Sequence, residues 1–317
     1  MKIYLFVVSA ILLSACSPNN KSTSVEIERF DIIATDSTMA QSLSRLAPAL
    51  EGLKVVYADT ILTNEQTLNR YLESPATKVF SPDIRSSLIN LETQEELLGT
   101  AFQNLRESYS NIAVPTHVYG YVTPYMQSIV MVDSVMFIGL NHYLGENYPG
   151  YEGFEHYKRK HKTPNRIALD ATEALLYSNY PYQETENTVA LNHMLYEGAI
   201  INVLSDLISS ASVAELLGYS EQEWNWAEKH EGAIWKSLAE KGLLYSKDPL
   251  IIAKIISAAP NSDVVIPGAP ERIGRYIGYK IVKSYIKKHK DLRGRELLNP
   301  AFYNSQNTLI NAEYMPK

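Results

Sequence analysis

Hydrophobic side chains occupy most sides of a long stretch near the middle of the chain, residues 187–207, and no proline interrupts it. This pattern predicts a central helix that is buried around nearly its whole circumference. His193 and Glu197 break the apolar surface four residues apart, so both lie on one face of the helix. Because a buried ionisable pair costs free energy unless partners satisfy it, these residues are the first candidates for a functional site.

The periodicity becomes strand-like between about residues 115 and 140. Three runs there, HVYGYV, QSIVMV and SVMFIGL, are rich in β-branched and aromatic residues and are separated by turn residues. Asn141 and His142 follow the last run in a polar turn, and loops held by a strand often carry function. We predict an α+β fold that is predominantly helical, with a small β-sheet (about 115–140) beside the buried central helix (about 187–207).

The five residues from His193 to Glu197 invite comparison with the H-E-x-x-H motif, in which two histidines bind zinc and the glutamate is the general base. This chain has Met194 at the position of the base and Glu197 at that of the second ligand. Methionine cannot take a proton from water, so the sequence does not predict a working site of that kind. Either the pair is satisfied internally, or by an Arg or Tyr of a neighbouring helix, or it ligates zinc with Glu231.

A second helix is predicted over residues 271–289, and it carries Gly274 and Gly278 on one face. Glycine in a helix costs roughly 1 kcal/mol relative to alanine, so two of them need an explanation. Close approach of another backbone supplies one, and the central helix is the expected neighbour.

Arg272 and Arg275 lie near that expected contact. We expect one of them to pair with Glu197 or Glu231, which would place a guanidinium group where a metal ion would otherwise sit. The pairing would identify the cluster as a former catalytic centre rather than a working one. The candidate cleft comprises His193, Tyr196, Glu197, Glu231, Arg272, Arg275, Asn141 and His142.

The first sixteen residues, MKIYLFVVSAILLSAC, have the pattern of an export signal, with one lysine, an apolar run and small residues before the cleavage point. The LSAC ending resembles a bacterial lipobox, which implies that Cys16 becomes the lipidated N-terminus. Cys16 is also the only cysteine, so an internal disulfide is excluded. We predict a lipoprotein signal segment over 1–16, a flexible tether over 17–28 and a single domain over 29–317.

The formal net charge is -6, and removal of a signal segment that contains only Lys2 makes it -6 - 1 = -7. An acidic chain lacks the basic face that nucleic acid requires, so nucleic acid is not an expected partner. Acyl chains on Cys16 would anchor the protein to a membrane while its body stays in water. Ser17, which follows, favours the outer membrane over the inner one by analogy with other lipoproteins, with the body in the periplasm or at the cell surface.

Several motifs in a fixed order carry a family likeness: VMFIGLNHYLG, LNHMLYEG, WNWAEKHEGAIW and IGRYIGYKIVKSYI. From about Phe30 to the C-terminus the chain resembles the GldB family of gliding-motility lipoproteins of Bacteroidetes. The resemblance implies an envelope lipoprotein that works with the gliding or secretion machinery. It also implies distant similarity to predicted H-E-x-x-H zinc peptidases and hence a zincin-like body. Asn141 stands where the family is expected to have Asp.

Three functions are compatible with this pattern. The favoured one is a non-catalytic lipoprotein that binds or assembles other components through a degenerate peptidase-like cleft, with no cofactor. The second is a zinc metallohydrolase with a rearranged H-x-x-x-E site, in which His193, Glu197 and Glu231 are the ligands. The third is a periplasmic lipoprotein that binds peptide or glycan through tyrosines of the His117–Tyr151 region.

Overall fold

The structure is a computed structural model, which describes residues 24–109, 112–292 and 294–316. The predicted signal segment with Cys16, and most of the predicted tether, lie outside the described residues. Within the described ranges, no helix combines the length and the apolar character needed to cross a bilayer.

Helices dominate the described part of the chain, and a small sheet accompanies them. The α-helices are α1 (Phe30–Asp36), α2 (Met39–Arg45), α3 (Ala47–Val56), α4 (Asn64–Glu73), α5 (Pro75–Ser87), α6 (Glu92–Ser108), α7 (His156–Arg159), α8 (Arg166–Asn179), α9 (Ala190–Leu207), α10 (Val213–Leu217), α11 (Glu221–Glu240), α12 (Pro249–Ile256), α13 (Ile273–Lys288), α14 (Gly294–Leu297), α15 (Pro300–Tyr303) and α16 (Asn307–Ala312). The strands are β1 (Glu28–Arg29), β2 (His117–Tyr121), β3 (Ile129–Val132) and β4 (Val135–Gly139). The predominantly helical α+β prediction is confirmed.

The sheet has the strand order β1-β2-β4-β3. β2 runs parallel to both β1 and β4, whereas β3 and β4 form an antiparallel hairpin. Three of the four strands fall in the block predicted from the strand-like periodicity. Every residue of β4 is buried, which places this strand in the interior of the protein and fixes the loop that follows it.

The fourth strand, β1, comes from the end of the segment that was predicted to be a flexible tether over 17–28. Val25 donates a backbone hydrogen bond to the carbonyl of Glu95 (3.1 Å), and Ile27 donates one to the Glu95 carboxylate (2.8 Å). Ile27 is also buried. The folded body therefore begins before residue 28, because these residues gain backbone partners and burial that the polar composition of the segment does not indicate.

The predicted central helix is α9, and it crosses α13 at very short range. A Cβ atom added to Gly278 would lie 1.8 Å from the carbonyl oxygen of Met194, and one added to Gly198 would lie 2.1 Å from the carbonyl carbon of Gly278. Real side chains never approach so closely, so glycine is required on both helices. The expected contact between this glycine face and the central helix is confirmed for Gly278.

Gly274, one turn earlier, has a different neighbour. Its added Cβ would meet the side chain of Ile255 on α12 at 2.4 Å. The prediction that both glycines face α9 is therefore wrong for Gly274, since α13 is packed between α9 and α12 at this point. α8 lies between the sheet and α9, because it contacts both β3 and α9. The residues described next occupy the junction of α8, α9 and the start of α13.

Candidate functional site

Arg275, on the first turn of α13, is the centre of a buried ion cluster. Its guanidinium group binds the carboxylate of Glu173 on α8. Its Nε lies 2.9 Å from Oε2 of Glu197 on α9, close enough for an ion pair although the N–H does not point at that oxygen. The Tyr177 hydroxyl donates a hydrogen bond to the same oxygen at 2.7 Å. The expected pairing of an arginine with Glu197 is confirmed, and Arg275 is the arginine.

The single guanidinium group of this cluster is shared by two carboxylates. Burial alone would raise the pKa of Glu173, but the guanidinium of Arg275 outweighs that effect and lowers it. Burial raises the pKa of Glu197, and Arg275 opposes the rise. Burial opposes the charge of Arg275, yet the two carboxylates hold its pKa well above the usual range. The guanidinium group of Arg275 thus bridges a carboxylate on α8 and a carboxylate on α9.

His193 lies on the same helix as Glu197 but has another environment. Its ring stacks on Tyr182 with the ring centroids 4.2 Å apart, and burial lowers its pKa. Tyr196 points into the same aromatic group and donates a hydrogen bond to the Tyr180 carbonyl at 2.7 Å. His193 and Glu197 therefore do not form a common polar site, although their spacing on the helix permits it.

Glu231, the third predicted ligand, belongs to a separate cluster. Lys280 approaches one of its carboxylate oxygens at 2.9 Å, and the hydroxyls of Tyr276 and Tyr314 donate hydrogen bonds to the carboxylate. Across the described ranges, no three histidine, cysteine or acidic side chains are grouped closely enough to hold a metal ion. The structure thus does not assemble the alternative ligand set that includes Glu231.

Asn141 clamps the end of β2 to the turn after β4. Its amide nitrogen donates to the Thr123 carbonyl at 2.9 Å, and its amide oxygen accepts from the Thr123 N–H at 2.9 Å. Its own carbonyl accepts a hydrogen bond from the Tyr151 hydroxyl at 2.6 Å. A carboxylate could accept but not donate here, so an amide at this position serves the fold, where Asp would leave the Thr123 carbonyl unsatisfied.

His142 is also buried, and it faces a cavity. Lys162 approaches its Nδ1 at 2.7 Å, and its Nε2 lies 3.0 Å from the Tyr125 carbonyl. These partners fit a neutral ring that accepts from the ammonium group and donates to the carbonyl. Burial, with Lys162 second, lowers the pKa of His142 to about 4. Sequence reasoning selected His142 but missed Lys162, although it lies in the HYKRKHKTP stretch after the sheet.

Arg272, immediately before α13, opens onto the same cavity. Its backbone is left-handed, with φ of 56°, which is unusual for a residue other than glycine. The cavity has a volume of about 220 Å³, and a neighbouring one of about 370 Å³ shares Arg272, His161 and Asp170 with it. The predicted candidates Arg272 and His142 are thus brought together, whereas His193 and Glu231 belong to other clusters.

Comparison with known proteins identifies the family to which the chain belongs. A family model described as gliding motility protein GldB matches residues 15–316. The chain belongs to this family. Membership associates the protein with gliding motility and with the cell envelope. No curated protein and no solved structure matches the chain. The similarity to zinc peptidases, and the zincin-like body that it implies, therefore stay predictions.

Proposed function

We propose that this protein is a lipid-anchored component of the cell envelope that binds or assembles other proteins of the gliding or secretion machinery and does not catalyse a reaction. The lipid is attached to Cys16, the outer membrane is the favoured membrane, and no cofactor is needed. The observation that carries the proposal is the position of Arg275, whose guanidinium group pairs with Glu197 and Glu173.

In the H-E-x-x-H motif, two histidines bind zinc and a glutamate activates water. Glu197 is the residue that would replace the second histidine ligand, and it is neutralised by a cation instead of a metal ion. Met194 stands where the general base would be, and it is fully buried at the crossing of α9 and α13. Methionine cannot accept a proton from water, and this fully buried side chain does not reach solvent. The chain therefore has no general base at this position.

Metal analysis tests the non-catalytic part of the proposal. The full-length protein is chelated, supplied with Zn²⁺ again and freed of excess metal. We expect zinc far below one ion per chain and no difference between the wild type and Glu197→Gln. Zinc near one ion per chain that is lost in Glu197→Gln would overturn the proposal and favour the rearranged metallohydrolase.

Cell fractionation and cross-linking test the remaining parts. Cys16→Ser should move the protein from the membrane fraction to the soluble fraction, while Ser17→Ala, a matched neighbour, should stay with the membrane. Cross-linking in intact cells, followed by purification, should recover other envelope proteins with the wild type. A protein that fractionates identically with and without Cys16, or that is recovered alone, contradicts the proposal.

One observation favours the third function, the binding of peptide or glycan. The cavity beside His142 and Arg272 is walled partly by the aromatic rings of Tyr143, Phe154 and Tyr157. Aromatic walls with a few polar groups are typical of small-molecule and peptide sites. This function is compatible with a binding role for the whole protein.

A further inference from the structure

Arg272 is a partly buried cation without a close partner. Its side chain is 17% exposed, and its nearest carboxylate is that of Glu271, with Nε and Oε2 3.9 Å apart. Glu271 is itself engaged at 2.7 Å with Lys160 and at 2.9 Å with His161. Within the described ranges the guanidinium group of Arg272 makes no hydrogen bond. A group with five N–H donors is therefore left facing a cavity.

The backbone of Arg272 gives independent support for a role. A left-handed conformation is strained for a non-glycine residue, and glycine at the same place would avoid the strain. Contacts of the Arg272 side chain with the protein do not offset this strain, because its one ion pair is long. Strained residues of this kind concentrate at functional sites.

The other basic side chains around the cavity show the same shortage of negative charge. Burial lowers the pKa values of Lys162, His142 and Arg272, and nearby cations add to the effect for the last two. Asp170 opposes the lowering for Lys162, and Glu271 and Glu173 oppose it for Arg272, but burial outweighs them. Burial also lowers the pKa of His161, although Glu271 opposes it. Arg166 differs, because Asp170 at 2.6 Å supplies its counter-charge. Asp170 lines the cavity too, but Arg166 holds its carboxylate. Among the described residues, Lys162 then forms no ion pair and Arg272 forms only the long one to Glu271, so the two cations lack a close anion.

The lining restricts which anion fits. Asp170 lines this cavity and the adjoining one, and Glu173 lines the adjoining one; both carboxylates would repel a doubly charged group such as phosphate more than a single charge. The rings of Tyr143, Phe154 and Tyr157 provide an apolar wall for the body of the ligand. A volume of about 220 Å³ accommodates a group of the size of one amino-acid residue.

We propose that this cavity binds the carboxylate of a residue-sized apolar acid, with Arg272 as its bidentate partner and Lys162 as a second cation. A planar guanidinium group matches a carboxylate with two parallel hydrogen bonds. The proposal rests on the binding function proposed above and names the ligand chemistry of its cavity. Either the C-terminus of a peptide or a free small acid could supply the group.

Calorimetric titration of the full-length protein in detergent tests this inference. The probes are acetyl-Ala-Leu with a free carboxylate, its C-terminal amide, acetyl-leucine and inorganic phosphate. We expect the free acid to bind with a dissociation constant in roughly the millimolar range or below, and the amide at least tenfold more weakly. Tighter binding of the dipeptide than of acetyl-leucine indicates a peptide terminus, and equal binding indicates a small acid.

Variants separate a ligand-binding role from a structural one. Arg272→Gly removes the guanidinium group and the backbone strain together, so it should weaken carboxylate binding at least tenfold without lowering the melting temperature. Lys162→Met should weaken binding less. Arg70→Gln, which removes a cation near Tyr57 and Asp59 outside the cavity, should leave binding unchanged.

Three results would overturn the inference: equal binding of acid and amide, binding of phosphate alone, or unchanged binding in Arg272→Gly. A melting temperature that falls in Arg272→Gly would also overturn it, because Arg272 would then be a structural residue. The outcomes of the zinc and cross-linking experiments do not depend on these results. Failure of the carboxylate site and failure of the proposed function are therefore distinguishable.

Discussion

Arg275 and Arg272 lie one helical turn apart at the start of α13, and their surroundings are opposite. Arg275 contacts two carboxylates, and these raise its pKa well above the usual range. Arg272 has one carboxylate at 3.9 Å, and burial together with Arg275 lowers its pKa. The cation of the inner cluster has close carboxylate partners, whereas the cation that faces the outer cavity has only a distant one.

The comparison separates scaffold from candidate function. A buried ion cluster whose members satisfy one another is expensive to disturb, and it offers nothing to a ligand. A buried charge that faces a cavity without a partner stabilises nothing in the absence of a ligand, and it is a candidate for binding. Glu197, from the motif that resembles a peptidase site, belongs to the first kind, and residues outside that motif form the second.

The largest expected effect comes from breaking the inner cluster. Arg275→Met leaves the carboxylates of Glu173 and Glu197 buried without a cation, so it should lower the free energy of unfolding by about 3–5 kcal/mol. The matched variant Arg272→Met removes a cation that has no close partner and should change stability by less than about 1 kcal/mol. Denaturant unfolding of both proteins measures the difference.

The control for this experiment is Arg275→Lys, which keeps the charge but cannot reach both carboxylates in the same geometry. It should fall between the wild type and Arg275→Met. Equal destabilisation by Arg275→Met and Arg272→Met would contradict the contrast between the two regions, because it would make Arg272 a structural cation as well.

The helix crossing that directs the two arginines to different regions is the next test. Gly278→Ala forces a methyl group to within 1.8 Å of the Met194 carbonyl oxygen, both helices being fixed by packing. We expect a loss of about 3 kcal/mol in the free energy of unfolding. Gly153→Ala, where an added Cβ has nothing within 4 Å, should be nearly neutral. If Gly278→Ala is tolerated as well as Gly153→Ala, the close crossing is wrong.

The sequence predicted the helices that carry the inner cluster, but it did not predict all of the residues that form it. The apolar run of α9 and the glycines of α13 indicated two helices in contact, and an arginine near Glu197 followed from that. The choice between Arg272 and Arg275 was not accessible, because it depends on the angle at which α13 passes Gly198. Glu173 was missed, since a single acid in a helix is usually a surface residue.

The outer cavity was even harder to predict from the sequence. His142 and Arg272 were selected, but they are 130 positions apart by their numbering, and only the tertiary fold brings them to one cavity. Lys162 was missed because charged runs are usually solvated. The strand β1 was missed because two residues carry no periodicity, and it is the pairing with β2 that defines them.

Stability at mildly acidic pH tests the environment of His142. Its pKa is about 4 in the folded protein, below the ordinary value of 6.5, so the unfolded chain binds a proton first as the pH falls. The stabilisation is complete above pH 6.5 and is lost as the pH falls to about 4. Between pH 7 and 5 the wild type should lose about 2 kcal/mol through this residue.

Unfolding of His142→Gln at the same two pH values isolates that contribution, because His161 and His193 also have lowered pKa values and remain in both proteins. The variant should show a smaller loss between pH 7 and 5 than the wild type. Identical pH dependence in the two proteins would mean that His142 is hydrated and titrates normally.

The smallest expected effect concerns Lys162 and its contact with His142. Lys162→Met removes a cation 2.7 Å from the imidazole Nδ1, so the pKa of His142 should rise. Burial is the larger cause of the lowered pKa and persists, so the rise should be on the order of half a unit. Lys158→Met, which removes an ammonium group paired with Glu155, should leave that pKa unchanged. Titration of the histidine ring by NMR measures it, and a return to 6.5 would show that the lysine, not the cavity wall, keeps this imidazole neutral.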